Sequence, residues 1–298
     1  ATNGSAIFSF RGAVFLKNVT VSKNTKGGAI YSYYGTLNIE DSSFTENSGA
    51  RGGALYLSRG TVTIADSTFT GNTANYGGAI HNVGATLTIS GSTISGGGSY
   101  YGGAICNYGV TTLANAIISG NNAYYNGGGV YNYLGTLTAT NTLFYENTGG
   151  YGGAICADGS VLTAINCTIA GNESNYGGGI FAHGVASDDD SKTYVITLCN
   201  TIIADNTAVN GSDIHVNNTY GTIAGVYSLS SFTDWTNTAT NYGYDATKRL
   251  FRDPDNNDYQ LASGGQAIDV GGNAFVSGVP TDLDGNTRIV NNIVDLGA

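Results

Sequence analysis

The chain has 298 residues, of which 46 are Gly and only 11% are charged, a balance that excludes an ordinary helical enzyme rich in Lys, Glu, Leu and Ala. A net charge of −10 with 11 Lys and Arg in total leaves no basic surface to neutralise nucleic-acid phosphates or anionic lipid. Length permits one long domain or two ordinary ones, and no apolar run is long enough for a transmembrane segment.

The sequence starts at Ala1, contains no Met and shows no charged-then-apolar leader, so it reads as a processed chain or an excised fragment. Residues 1–26 form one irregular coil, in which Ala6 to Phe10 and Ala13 to Leu16 read as strands, either a cap or a broken-off coil. From Gly27 a Gly-Gly-small-aliphatic tetrapeptide recurs at Gly52, Gly77, Gly102, Gly127, Gly152 and Gly177, a constant interval of 25 residues. The rest of the unit repeats with it. Ile30, Leu55, Ile80, Ile105, Val130, Ile155 and Ile180 make one aliphatic ladder. Leu37, Val62, Leu87, Leu137 and Leu162 make a second, with the fourth coil slipping by one to Leu113, and Phe44, Phe69, Ile94, Phe144 and Ile169 make a third. Asn47, Asn72, Asn122, Asn147 and Asn172 form an amide ladder, and Asn82, Asn107 and Asn132 a second.

Apolar residues alternate with small polar ones, as in Thr61-Val62-Thr63-Ile64, so the segments are short strands, about three per unit, joined by Gly and Asn bends. One such unit cannot bury its apolar face alone, but stacked copies can. The expected fold is all-β: a single-stranded right-handed parallel β-helix, a solenoid of about 25 residues per coil. Residues 1–210 are the regular coils and 211–298 are irregular C-terminal coils and a capping region of the same domain. After Gly184 the unit is interrupted by Val185 to Thr193, read as a protruding loop carrying Asp188, Asp189 and Asp190. The tail, with the single Trp235 and both Pro, is expected to cover the last coil, because an open parallel edge invites pairing.

These residues carry a family likeness. Gly27 to Ile30 (GGAI) and Phe44 to Asn47 (Phe-x-x-Asn) resemble the repeats of chlamydial polymorphic outer membrane proteins. Asn200 to Asn206, Gly211 to Ile214, Ala267-Ile268-Asp269, Asp282 to Arg288 and Val294 to Ala298 resemble bacterial right-handed β-helix repeat proteins of the choice-of-anchor Q type. Gly265-Gln266 stand where that family usually has Ser-Pro. The resemblance implies a bacterial protein that is secreted or attached to the cell surface.

Fold alone does not grant catalysis. A lyase needs acidic Ca²⁺ ligands beside a Lys or Arg base, and the regular coils offer Lys26, Arg51 and Arg59 near Glu40, Asp41, Glu46 and Asp66. Only Asp41 and Asp66 stack, which reads as solvated bends. His183 with Asp188 to Asp190 is the nearest thing to a hydrolase cluster, and His81 and His215 read as exposed or hydrogen-bonded surface groups. Asp282, Asp284 and Asn286 place oxygens at alternate positions as a Ca²⁺ loop would, but the Gly is misplaced and no bidentate Glu follows, so a structural turn is expected, with a Ca²⁺ site there as the alternative and no other cofactor.

The aromatics are more informative. Tyr76, Tyr101, Tyr151 and Tyr176 precede the Gly pair, and Tyr31, Tyr56, Tyr131 and Phe181 follow the first ladder, which alternation turns outward. Stacked outward rings give a flat amphipathic strip for a glycan or a protein partner, or shield the sheet. Cys106 and Cys156 are two coils apart with Tyr131 between them, about 9.6 Å at the parallel-strand spacing, so free thiols are expected there. Whether Cys167 and Cys199 meet stays open. The expected function is a non-catalytic extracellular adhesin or structural rod that binds a glycan or protein or associates end to end; the alternative is a polysaccharide lyase or glycoside hydrolase.

Overall fold

The computed structural model describes residues 6–185, 193–218, 220–235, 240–290 and 292–298. The acidic segment with Asp188, Asp189 and Asp190 lies outside the described residues. The chain is a right-handed parallel β-helix, but each regular coil has four strands where the sequence suggests three. Face one stacks from Ile7–Phe10 to Ile214–Val216, face two from Ala13–Lys17 to Gly221–Val226, face three from Thr20–Ser22 to Tyr242–Gly243, and face four from Ser48–Arg51 to Thr207–Asn210. Parallel pairing therefore continues past Asn210.

The fourth face exists because the chain bends once more per coil through the left-handed region, where Asn, Asp and Gly are tolerated. Between faces two and three the bend falls on Asp41, Asp66, Gly91, Asn115, Asn141, Asn166 and Asn200, all with φ near +50°. The Gly pair makes the corner from face four to face one, and its members have different jobs. Gly77 has φ +63° and a Cβ there would lie 2.0 Å from the Ile80 carbonyl oxygen. On Gly78 a Cβ would lie 2.1 Å from the carbonyl oxygen of Gly103 in the next coil. One glycine turns the chain and the other lets the coils touch.

The aliphatic ladders fill the bore, with Phe44 and Phe69 stacked at 4.8 Å. Coil four departs from the sequence reading. The turn after Asn107 is one residue shorter than that after Asn82, so Thr111 lies against Leu87, and Leu113 joins Ile89 on the neighbouring ladder. Buried Thr111 is satisfied by donating to Oδ1 of Asn107 at 2.8 Å. The same shift puts Asn121, not Asn122, in the amide ladder: Asn121 Nδ2 donates to Asn147 Oδ1 at 3.0 Å, and Asn147 in turn to Asn172 at 2.9 Å. An extra residue in the strand Asn122–Asn126 restores the register and pushes Tyr124 and Tyr125 into solvent. The second ladder forms as read, Asn82 to Asn107 at 3.0 Å and Asn107 to Asn132 at 2.8 Å.

Only part of the tail covers the bore. Phe232 and Trp235 pack against the core cluster, edge to face at 5.3 Å. The remainder folds back along face three, where Leu250, Phe251, Ala267 and Leu296 bury the outward Ala170, Ile202 and Ala204. The corner asparagines hold it there. Asn200 exchanges hydrogen bonds with Gly272 at 3.0 and 2.7 Å, Asn166 donates to the Phe275 carbonyl at 3.0 Å, and Asn141 accepts from buried Arg288. Among the described residues no helix is long and apolar enough to cross a membrane.

Candidate functional site

Face one turns every second side chain outward, and the two aromatic sets expected from the sequence merge there into one surface. The tyrosines before the Gly corners fold over outward residues of face one. Tyr76 stacks at 5.6 Å on His81 of the strand that follows it, whereas Tyr101 and Tyr151 reach one coil further, to Tyr131 at 5.6 Å and to Phe181 at 5.0 Å. Along the rod Tyr31 meets Tyr56 at 4.4 Å, Tyr76 meets Tyr101 at 5.3 Å, Tyr151 meets Tyr176 at 5.2 Å, and Phe181 meets His215 at 5.7 Å.

This overlap decides which rings are accessible. Tyr56 and Tyr131 point outward, as alternation requires, yet are buried under their neighbours at 7% and 6% exposure. Tyr31, Tyr76, Tyr101 and Tyr176 are half-buried and Tyr151 is exposed. Ring-on-ring packing of this kind stabilises the sheet as well as presenting a surface. The sequence reading passed over an exposed annex beside it, in which Tyr100, Tyr124 and Tyr125 pack on one another and Tyr125 reaches Tyr101. Its signal is the one-residue displacement of coil four, which the constant 25-residue interval between Gly pairs conceals.

Two depressions interrupt the rings. The first, of about 310 Å³, is lined by Arg51, Tyr56, Tyr76, His81, Val83 and Tyr108. His81 is not the exposed or hydrogen-bonded surface group expected. It is 5% exposed and neither ring nitrogen has a hydrogen-bond partner, because Tyr76 stacks over it while Tyr56 and Tyr108 close its edges. Burial, with Arg51 nearby, pushes its pKa down to about 4, so the imidazole is neutral at physiological pH.

The second depression, of about 390 Å³, is lined by Asn126, Tyr151, Asp158, Tyr176, Phe181, His183 and Asn217. Asp158 and His183 occupy one ladder position in successive coils. His183 Nδ1 lies 2.8 Å from Asp158 Oδ1, and Tyr131 donates its hydroxyl to Asp158 Oδ2 at 3.1 Å. Burial first, then Cys156 and Asp158, pushes the Tyr131 phenol well up, which keeps it protonated as a donor. The polar partner of His183 is thus one repeat back in the chain.

The other candidates do not converge with these. Lys17 pairs with Glu40 at 2.7 Å and reaches Asp41 at 3.7 Å on a different corner from Arg51. Asp284 and Asn286 lie exposed on the tail and Asp282 half-buried, its carboxylate accepting the backbone amides of Asp284 at 3.0 Å and Asn286 at 2.8 Å. Asp284 accepts from Gln260 at 2.6 Å, so the carboxylates are engaged within a turn. Among the described residues no group of three or more His, Cys, Asp and Glu gathers as a metal site would. All four cysteines are free and buried; Tyr131 separates Cys106 from Cys156, and Cys199 sits against Ile165, not Cys167.

The Chlamydia polymorphic membrane protein repeat matches residues 66–83 and 141–158. Each stretch runs from a corner between faces two and three, through the amide ladder and the Gly pair, to the end of a face-one strand. No curated protein matches the chain. Among solved structures, pectate lyase Pel9A is similar with a TM-score of 0.39 and 13% identity, covering 93% of this chain and 68% of that one.

Proposed function

We propose that this chain is a non-catalytic rod displayed outside a bacterial cell, which holds a glycan along the aromatic surface of face one. The observation that carries the reading is a pair of packed ring runs along that face, one from Phe8 and Tyr31 to Tyr131 and the other from Tyr151 to Phe181 and His215, joined across buried Cys156. Tyrosine suits the task because its flat ring covers the apolar side of a sugar while its hydroxyl stays at the polar rim. Display outside the cell is supported by the Chlamydia polymorphic membrane protein repeat. The likeness of the tail to the choice-of-anchor Q type points the same way. The separation of Lys17, Asp41 and Asp66 from Arg51 and His81 on the aromatic surface favours binding over lyase chemistry. A glycan array with and without chelator, with product analysis on every polysaccharide retained, tests the proposal. Retention without cleavage supports it, whereas Ca²⁺-dependent cleavage replaces it with a polysaccharide lyase or hydrolase.

A second reading is end-to-end association of rods. Among the described residues the first coil supplies the outermost strand of faces one, two and three, and it exposes Phe8, Phe10 and Phe15 while Val14, Leu16 and Val21 are only half covered. Such an edge is a template for another chain. Sedimentation over a range of concentrations tests it, and a strict monomer removes it.

A further inference from the structure

On the outward ladder of face one that holds Tyr33, Ser58, Val83 and Tyr133, two successive coils substitute a carboxylate and an imidazole, Asp158 and His183. Asp158 is nearly buried, its side chain 12% exposed, whereas that of His183 is 34% exposed. A buried carboxylate facing Nδ1 fixes the proton of a neutral imidazole on that nitrogen and leaves Nε2 as an acceptor on the opposite edge. Tyr131 satisfies the other carboxylate oxygen from beneath. The three groups form a chain running from the buried layer to the surface.

We propose that the depression lined by Asn126, Tyr151, Tyr176, Phe181, His183 and Asn217 is a subsite for one uncharged, polyhydroxylated ring, a pyranose of a neutral glycan, with Nε2 of His183 accepting a ligand hydroxyl. This rests on the reading of face one as a glycan-binding surface and names the substrate class. Tyr151 and Tyr176, stacked within 10° of parallel, supply the flat wall. Asn126 and Asn217 supply amides able to donate and accept. The ligand is neutral because the lining holds one carboxylate and neither Lys nor Arg, in a chain of net charge −10. A sugar acid would meet Asp158, and the one basic side chain of the lining, His183, is already turned to that carboxylate. His183 is the binding residue; Asp158 and Tyr131 are positioning residues that act through it.

The test is titration of the whole chain with neutral gluco-, manno- and galacto-configured hexasaccharides and with hexagalacturonate. It is run on the wild type, His183→Ala, His183→Gln and Asp158→Asn, with thermal unfolding as the check on folding and NMR of the ring nitrogens to report the His183 tautomer. At least one neutral hexasaccharide binds more tightly than hexagalacturonate. His183→Ala weakens it about ten-fold, the scale of one lost hydrogen bond. His183→Gln, which keeps an acceptor, loses less, and Asp158→Asn both weakens binding and shifts the ring nitrogens from the Nδ1–H form. Undiminished binding by His183→Ala overturns the subsite while leaving the aromatic surface standing. Preference for hexagalacturonate overturns the neutral-ligand assignment, and failure of the wild type to bind any of the four overturns both.

Discussion

Asn121 donates from Nδ2 to Oδ1 of Asn147 across one coil at 3.0 Å, whereas its chain neighbour Asn122 belongs to the strand that bulges out on face four. Asn121 also donates to the Ile94 carbonyl and accepts from the Gly97 amide, so removing it orphans buried partners on both sides. Asn121→Ala is expected to cost about 2–3 kcal/mol and exposed Asn122→Ala less than about 0.5 kcal/mol in denaturant unfolding. Equal effects would contradict the register described for coil four.

The two glycines of the repeat are expected to fail differently from glycines at open corners. Gly78→Ala drives a Cβ to 2.1 Å from the Gly103 carbonyl, and the rigid ladder can relieve this only by moving coils apart. A loss of about 3 kcal/mol or more is expected. Gly96→Ala, with φ +62° but no atom nearer than 3.7 Å, should cost only the left-handed backbone penalty of about 1 kcal/mol. Thermal unfolding of the two variants orders them.

The four buried thiols should resist reagents until the rod unfolds. Burial pushes Cys167 up to about 12 and raises Cys106, Cys156 and Cys199 as well. Native protein at pH 8 is expected to show no alkylation by iodoacetamide, and all four cysteines to react in denaturant. Fast labelling of the native chain would contradict the burial.

His81 gives a defined acid window. Its pKa falls from 6.5 to about 4 on folding, so between those values the unfolded state binds more protons and stability declines as pH drops through 6.5 toward 4. Below the folded value the loss levels off, at up to about 3 kcal/mol. His81→Phe keeps a ring against Tyr76 and should flatten that part of the stability profile. A variant as acid-sensitive as the wild type between pH 6.5 and 4 would show that His81 is not buried neutral.

How much of this was legible depends on what the 25-residue interval records. It fixes the ladders at Ile30, Leu37 and Phe44 and the Asn82-Asn107-Asn132 stack, because each position repeats independently of its neighbours. The deletion before Val110 and the bulge at Asn122–Asn126 cancel within the interval, so the pattern points to Leu113 and Asn122 where Thr111 and Asn121 stand, although the Gly pairs never lose step. The fourth face was hidden because its strands, such as Ser48–Arg51, carry no aliphatic ladder. Docking of the tail is non-local. Nothing near Arg288 in the chain points to Asn141. The Asp158–His183 pair was legible in principle, since the two stand one interval apart, but the acids at 188–190 lie closer to His183 in sequence.

The central claim is that the exposed rings of face one are where the rod meets its ligand. Its most direct test is the glycan array repeated with the double variant Tyr101→Ala, Tyr151→Ala, shown to be folded by its far-ultraviolet spectrum and thermal transition. Both rings lie on the accessible side of the face, so the prediction is retention by the wild type without cleavage and loss of retention by the folded variant. Undiminished retention by the variant, or cleavage by the wild type, would contradict the account.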